Sequence, residues 1–332
     1  MKFGVIYNAR KPFDTLRAVQ EADSAGVWLA GTYDSHFLWQ EPWIHYAAWA
    51  VNTKTIHMGP FVTNPLTRHI TVTASASATL NAFSGGRAFI GIGRGDSAVR
   101  TMKKTPADLH TLEKGVEALR KLTGGDTVVI DGAEVRIPWS SQRVPVYVAA
   151  YGPKALKLAG RVGDGVILQI ADAEVIKWSL EWVKKGAQEA GRSLDGFEVI
   201  SAAAWCLGEN IKHAREEVRW FPAMVSNHAL DLMAKYPKEK LPPSLIKGME
   251  SRGSYDYWEH ARKDAHHLGF VTEDMIDRFS IIGSVSDAVS RLKELEKVGV
   301  TTAVAYLLGD DFAEQTRRLT RELMPALTAT TR

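Results

Sequence analysis

The sequence predicts a closed (β/α)8 barrel, also called a TIM barrel, with a mostly helical insertion after its seventh strand. Eight short apolar segments of β type alternate with segments of helical period, and 332 residues suffice for one such barrel. The alternation is interrupted only by a hairpin signal and by residues 209–275. We therefore expect residues 1–332 to form one domain with an insertion at 209–275.

The first four strand–helix units follow one another directly. Residues 3–7 form a compact apolar strand, and residues 12–25 have apolar side chains at helical spacing, with Gly26 in the position of a C-cap. The next three units pair strand 27–33 with helix 44–52, strand 56–62 with helix 71–83, and strand 87–93 with helix 107–122.

The second half of the chain completes the series. An Asp131-Gly132 turn between apolar segments predicts a hairpin over residues 126–137. Strand 145–150 with helix 153–162, strand 165–170 with helix 174–190, and strand 197–206 follow. Residues 209–275 contain four prolines and no strand–helix alternation, which indicates a mostly helical insertion. Helix 286–298, strand 301–308 and helix 312–327 close the chain.

Charge and composition exclude several classes of partner. The chain has 41 lysine and arginine residues and 38 acidic residues, and positive and negative charges alternate along the predicted helices. No basic face that could bind a nucleic acid or a membrane is therefore expected. The single cysteine, Cys206, excludes an internal disulfide and any thiolate-based zinc or iron–sulfur site. No apolar segment approaches the length of a bilayer span, and the N-terminal residues are typical of a strand. We expect a cytoplasmic protein.

Two strand-to-helix junctions are rich in small residues. Gly59-Pro60-Phe61-Val62-Thr63-Asn64-Pro65 ends the third strand, and Gly91-Ile92-Gly93-Arg94-Gly95-Asp96 ends the fourth. Together they indicate a flat ligand close to the main chain. The second segment is not a dinucleotide-binding fingerprint, because its sixth position is Asp96 rather than glycine or alanine. Asp96 is a candidate acid or hydrogen-bond acceptor; the alternative is an N-cap of the next segment.

The loop after the second strand places reactive side chains at the end of the barrel where (β/α)8 active sites lie. It contains Asp34, His36, Trp39 and Trp43. A histidine there can donate to an anionic ligand or relay a proton. The alternative is a packed aromatic loop in which Asp34 caps a turn.

The junction after the fifth strand, Ala149-Ala150-Tyr151-Gly152-Pro153-Lys154, opens a helix on proline. The N–H groups of that helix would suit a phosphate-bearing tail, and Lys154 would add positive charge. The alternative is an ordinary tight loop.

The insertion concentrates aromatic and cationic side chains. We expect it to act as a substrate lid, and the alternative is a packing or dimerisation helix pair. His260, Asp264 and His267 would share one face of a helix, as metal ligands do. Because no fourth ligand is evident and solvated helix faces commonly have this pattern, no metal site is predicted.

In these segments the chain resembles the bacterial luciferase-like superfamily of flavin and deazaflavin oxidoreductases. Within that superfamily it is most similar to the methylenetetrahydromethanopterin reductase branch, which uses coenzyme F420. The resemblance covers nearly the whole chain outside residues 209–275. Besides the two small-residue junctions it rests on residues 1–5, Ser84-Gly85-Gly86-Arg87, Gly152-Pro153-Lys154 and Gly163-Asp164-Gly165-Val166.

The resemblance implies a (β/α)8 barrel with a cis peptide between Phe61 and Val62. It implies that Asp34 and His36 lie beside the cofactor ring, that Asp96 is the carboxyl near the reacting centre, and that residues 149–152 follow the cofactor tail. The predicted cofactor-binding residues are Asp34, His36, Phe61, Val62, Asn64, Gly93, Gly95, Asp96, Ala149, Ala150, Tyr151 and Gly152.

The predicted activity is hydride transfer between coenzyme F420, or FMN, and a small organic substrate, with Asp96 and His36 as catalytic residues that supply a proton. The predicted substrate-binding residues are Trp43, Arg94, Trp220, His228, Tyr255 and His260. One alternative is a monooxygenase that uses reduced FMN and O2, with a separate flavin reductase as partner. Another is a non-catalytic flavin-binding protein. The resemblance also predicts a homodimer.

Overall fold

The computed structural model describes residues 1–8 and 10–329. Its strands are β1 Lys2–Tyr7, β2 Leu29–Thr32, β3 His57–Pro60, β4 Ile90–Ile92, β5 Val128–Ile130, β6 Ala133–Val135, β7 Val146–Ala149, β8 Gly165–Leu168, β9 Glu198–Leu207, β10 Ile281–Gly283 and β11 Thr302–Leu307. Its α-helices are α1 Pro12–Ser24, α2 Pro42–Asn52, α3 Ile70–Ser84, α4 Ser97–Arg100, α5 Leu109–Thr123, α6 Pro153–Val162, α7 Ala173–Glu189, α8 Ile211–Val218, α9 Trp220–Met233, α10 Pro243–Ile246, α11 Glu273–Phe279, α12 Val285–Lys297, α13 Phe312–Arg318 and α14 Met324–Ala329.

Eight parallel strands form the barrel, in the order β3-β2-β1-β11-β9-β8-β7-β4. Single bridges from Met58 to Ala88 and from Thr63 to Ile92 join the two ends of this series. The strands are apolar almost throughout, because in a parallel barrel they are buried on both faces. The predicted (β/α)8 fold is confirmed.

Close contact between β3 and β4 requires a glycine. A Cβ at Gly59 would lie 1.9 Å from the carbonyl oxygen of Phe89, a distance that no side chain tolerates. The small-residue pattern at this strand therefore serves barrel closure as well as the approach of a ligand.

The predicted hairpin is also present. β5 and β6 pair antiparallel, and Asp131 and Gly132 between them have φ values of 51° and 80°. Two successive positive φ values are what a tight hairpin turn requires.

The insertion after the seventh barrel strand contains helices and short 3₁₀ turns, and residues 209–275 include no strand. The sequence did not predict β10, which pairs with residues 205–207 at the end of β9, because three residues are too few to show a period. The closing helix, predicted as continuous over 312–327, is divided by a wider π-type turn at Leu319–Leu323. That the whole chain is one domain stays a prediction.

No helix in the described ranges has both the length and the apolar character needed to cross a bilayer.

Candidate active site

A cavity of about 680 Å³ lies at the C-terminal ends of the barrel strands, beneath α9. It is bounded by the segments that follow β2, β3, β4, β7 and β8, as expected for a (β/α)8 barrel. The predicted site residues that line it are Asp34, Phe61, Val62, Asn64, Gly93, Arg94, Gly95, Asp96, Ala149, Ala150, Tyr151, Gly152, His228 and His260.

Four predicted site residues do not line this cavity. His36 is exposed and packs on Phe37, with ring centroids 4.2 Å apart. Trp43 contacts Tyr46 within α2, and Trp220 is buried against Tyr306. Tyr255 contacts the lining residue His260 through its hydroxyl. The sequence placed these residues in a loop or in the insertion, but it could not predict whether each side chain would point toward the cavity.

The end of β3 is held by both neighbouring strands. The peptide between Phe61 and Val62 is cis, as the resemblance implied. The Phe61 N–H donates to the Thr32 carbonyl at 2.9 Å, and the Thr63 N–H donates to the Gly91 carbonyl at 2.9 Å. Phe61 is fully buried while Val62 is half-buried at the cavity. The backbone below the cavity is therefore fixed on both sides.

Asp34 is buried in a network that joins β2 to β3. Its carboxylate accepts a hydrogen bond from Thr63 Oγ1 at 2.7 Å and pairs with Arg68 at 3.3 Å, and its side chain is 1% exposed. Arg68 also pairs with Glu41. Asp34 therefore does not cap a turn, and its carboxylate is paired. Its contacts hold the ends of β2 and β3 in position.

The amide of Asn64 is committed to its own loop. Its Oδ1 accepts from the backbone N–H groups of Leu66 and Thr67, each at 3.0 Å. Asn64 therefore shapes the chain beside the cavity.

The segment after β4 brings two glycines and the carboxyl group of Asp96 to the cavity. A Cβ at Gly93 would lie 3.4 Å from Val62 and 3.5 Å from Ala149, in ordinary contact. Gly95 has φ +91°, which favours glycine. Asp96 holds the N-cap position of α4 but makes no capping hydrogen bond; its Oδ1 lies 3.0 Å from Arg100 Nε instead. The N-cap alternative therefore does not describe its side chain.

Two neutral histidines face the cavity from the insertion. His228 stacks on Tyr151, with centroids 4.0 Å apart and planes 17° apart, and burial lowers its pKa. His260 Nδ1 lies 2.9 Å from the Tyr255 hydroxyl, and burial, opposed by the charge of Asp96, lowers its pKa to about 4. Burial thus favours the neutral form of both imidazoles, so neither adds positive charge to the cavity at neutral pH.

The charged groups around the cavity are mostly paired. The lining cations and acids are Arg94, Arg100, Lys154, Lys235, Asp34, Asp96, Asp108 and Asp231. Arg100 pairs with both Asp96 and Asp231, and Arg94 donates to the Ala107 carbonyl. Lys154 and Lys235 are exposed and have no ion-pair partner among the described residues. The lining cations without a carboxylate partner among the described residues are thus Lys154 and Lys235, at the end of the cavity where α6 begins, and Arg94, whose Nε is held by a carbonyl.

Several lining residues were not predicted from the sequence, including Arg100, Gln169, Asp231 and Lys235. Arg100 could have been predicted, because it follows Asp96 by four residues, the spacing at which side chains meet on a helix. Asp231 and Lys235 come from α9, whose position over the barrel no local pattern showed.

The helix proposed for His260, Asp264 and His267 is absent. These residues lie in turns, where Asp264 pairs with Arg262 and His267 lies 3.7 Å from Glu259. They do not share a ligand position. Burial raises the pKa of the Cys206 thiol to about 12, so this thiol is protonated at neutral pH and is no nucleophile.

The chain is similar to named proteins over nearly its whole length. It is 30% identical to a 5,10-methylenetetrahydromethanopterin reductase of Archaeoglobus fulgidus, with 98% of this chain and 100% of that relative covered. It is 27% identical to an F420-dependent glucose-6-phosphate dehydrogenase of Mycolicibacterium smegmatis, with 92% and 91% covered.

Solved structures show the same fold. The F420-dependent tetrahydromethanopterin reductase of Methanopyrus kandleri superposes with a TM-score of 0.77 at 24% identity, covering 98% of this chain and 99% of that one. An F420-dependent secondary alcohol dehydrogenase with an F420–acetone adduct gives a TM-score of 0.76 at 21% identity, with the same coverage.

The profile of the luciferase-like monooxygenase family matches residues 1–302. The chain belongs to this luciferase-like family and is an oxidoreductase of that type.

Proposed function

We propose that the protein is a coenzyme F420-dependent oxidoreductase that transfers a hydride between the deazaflavin and a small, uncharged organic substrate. The observation that carries the proposal is the cavity above the cis Phe61–Val62 peptide, which has two unpaired lysines at one end only. Relatives named as F420-dependent over nearly the full length of the chain support it.

The residues present fit such a cofactor. Gly93 leaves room for a ring between Val62 and Ala149, since a side chain there would extend from a Cβ already in contact with both. The start of α6 has no side-chain cap and lies beside Lys154 and Lys235, an arrangement that favours an anionic tail. Both lysines are exposed, so that end is open to solvent and can accept a long tail, whereas FMN ends at a phosphate.

When bound, the deazaflavin would supply or accept the hydride. The chain's own groups would hold the substrate and move a proton. We assign the proton transfer to the Asp96 carboxyl, whose orientation Arg100 fixes, rather than to His36, which lies outside the cavity. His228 and His260, both neutral, would hydrogen-bond a carbonyl or imine of the substrate, and Tyr151 orients His228 by stacking.

The charge distribution supports an uncharged substrate. Away from Lys154 and Lys235, Arg100 is paired with two carboxylates and Arg94 donates its Nε–H to a carbonyl. In this part of the cavity the formal charges of Arg94 and Arg100 are outnumbered by those of Asp96, Asp108 and Asp231, so a phosphorylated substrate would find no net positive charge there.

We infer that a homodimer forms through α2 and α3. Ile44 and Val51 on α2 are 71% and 64% exposed, and Val72 and Phe83 on α3 are 55% and 62% exposed. Adjacent apolar helix faces of this kind mark protein interfaces. The cytoplasmic location stays a prediction.

The test is an anaerobic assay with reduced F420 and a panel of small ketones, imines and sugar phosphates. The proposal expects reoxidation of F420 by an uncharged substrate without oxygen. Transfer of one oxygen atom of O2 to an organic substrate with reduced FMN, and no turnover with F420, would instead support the monooxygenase alternative; O2 uptake alone would not, because free reduced FMN converts O2 to H2O2.

A further inference from the structure

Three potential metal ligands meet outside the cavity, where the insertion leaves the barrel. The Cys206 Sγ, an imidazole nitrogen of His213 and a carboxylate oxygen of Asp311 all lie within 4.8 Å of one another. They come from three separate segments, the end of β9, the first turn of α8 and the start of α13.

Each side chain is available for a ligand. Asp311 holds the N-cap position of α13 without capping it. The imidazole of His213 is exposed and has no hydrogen-bond partner among the described residues. Cys206 is buried in the strand end that pairs with β10, so its sulfur is fixed in place.

A second layer of polar groups surrounds the three. Gln315 Nε2 donates to Asp311 Oδ2 at 3.1 Å and lies 3.7 Å from the Cys206 sulfur. Glu217 follows His213 by one helical turn, on the same face of α8. A Cβ at Gly309 would lie 2.7 Å from Asp311 Oδ1 and 3.0 Å from Glu217 Oε2, so both carboxylates flank this glycine. Lys263 pairs with the other oxygen of Glu217.

We propose that Cys206, His213 and Asp311 bind a divalent transition metal of the Zn²⁺ class, with Glu217 or water as fourth ligand. One sulfur, one nitrogen and one oxygen match the ligand types that Zn²⁺ accepts. On binding, the Cys206 S–H proton is released to solvent and the sulfur ligates as thiolate. The metal would tie α8, the first helix of the insertion, to the segment after β11.

The geometry needs only a small contraction. Zinc–sulfur and zinc–nitrogen bonds of about 2.3 Å and 2.0 Å separate tetrahedral ligand atoms by roughly 3.5 Å. In the structure the three ligand atoms lie within 4.8 Å of one another, and rotation of the exposed His213 side chain can provide most of the shortening from 4.8 Å to roughly 3.5 Å. The single cysteine led us to expect no thiolate-based zinc site, whereas the proposed site joins that one thiolate to an imidazole and a carboxylate from other segments.

Titration of the metal-free full-length protein with Co²⁺ tests the proposal. Because Cys206 is the single cysteine, a sulfur-to-cobalt charge-transfer band can arise at this site alone. We expect such a band, its loss when Zn²⁺ displaces Co²⁺, and a rise in the thermal midpoint with Zn²⁺. His213→Ala and Asp311→Asn, both on accessible side chains, should weaken Co²⁺ binding about tenfold or more.

The matched control is His110→Ala, an exposed histidine on α5 that should bind Co²⁺ as the unaltered protein does. Absence of the charge-transfer band with excess Co²⁺ would overturn the proposal. The proposal would also be overturned if His213→Ala and Asp311→Asn left both the intensity of the band and the Co²⁺ concentration at half-saturation unchanged.

Discussion

Asp96 lines the cavity while its carboxylate stays bound to Arg100. If this carboxyl donates the proton, Asp96→Asn should lower turnover about 100-fold or more and leave the affinity for the cofactor unchanged. Steady-state assay with reduced F420, combined with fluorescence titration of the cofactor, measures both quantities.

Asp231→Asn is the matched control for that variant, because Asp231 is the other carboxylate bound to Arg100, at 3.1 Å. It should lose far less turnover. Equal losses in the two variants would mean that Asp96 acts only by holding Arg100.

His260 makes stability depend on pH. Its pKa is near 4 in the folded protein, so between pH 6.5 and 4 the unfolded chain binds a proton that the folded chain does not. The free energy of unfolding should therefore fall as the pH decreases, by about 2 kcal/mol between pH 7 and pH 5 from this residue.

Urea denaturation at the two pH values should show that fall reduced by about that amount in His260→Gln. The exposed His110→Gln serves as control. An unaltered pH dependence in His260→Gln would show that His260 is not buried in its neutral form.

Site residues at strand ends were predictable from the sequence, whereas site residues whose role depends on the direction of the side chain were not. Phe61, Val62, Gly93 and Asp96 line the cavity because the ends of parallel strands share one edge of the barrel. His36 is two residues beyond Asp34 and yet exposed, since a loop has no period that fixes which side a residue occupies.

Helices α2 and α3 leave an apolar face uncovered. Ile44→Glu should place a charge in the proposed dimer interface and raise the dimer dissociation constant about tenfold or more. Sedimentation equilibrium measures it, and Val129→Glu, on a 65% exposed residue of the β5–β6 hairpin, should leave the constant unchanged. Monomers at every concentration in the unaltered protein would refute this interface.

Elements with a clear period were predictable, and elements fixed by tertiary contact were not. The alternation of strands and helices appears in the structure with ends shifted by a few residues; α5, for example, begins at Leu109 because Asp108 accepts from the Thr111 N–H. β10 and the turns around His260 have no local signal and form against β9 and α9.

Barrel closure brings together residues that are distant along the chain. The cavity unites the ends of β2, β3, β4, β7 and β8 with α9, so its outline required the strand order as well as the strands. The count of eight strands predicted that the barrel closes. The position of the insertion over the cavity was not predictable, because it depends on packing that no single segment specifies.

We expect a deazaflavin ring to lie over the ends of β3 and β4. Gly93→Val tests it, because the added methyl groups would extend from a Cβ 3.4 Å from Val62, while Gly208→Val, at a position with no atom within 4 Å of the new Cβ, is the control. In a fluorescence titration with F420 we predict saturable binding by the unaltered protein and by Gly208→Val, and at least about tenfold weaker binding by Gly93→Val. Equal F420 affinity in all three proteins would show that the ring does not lie beside Gly93.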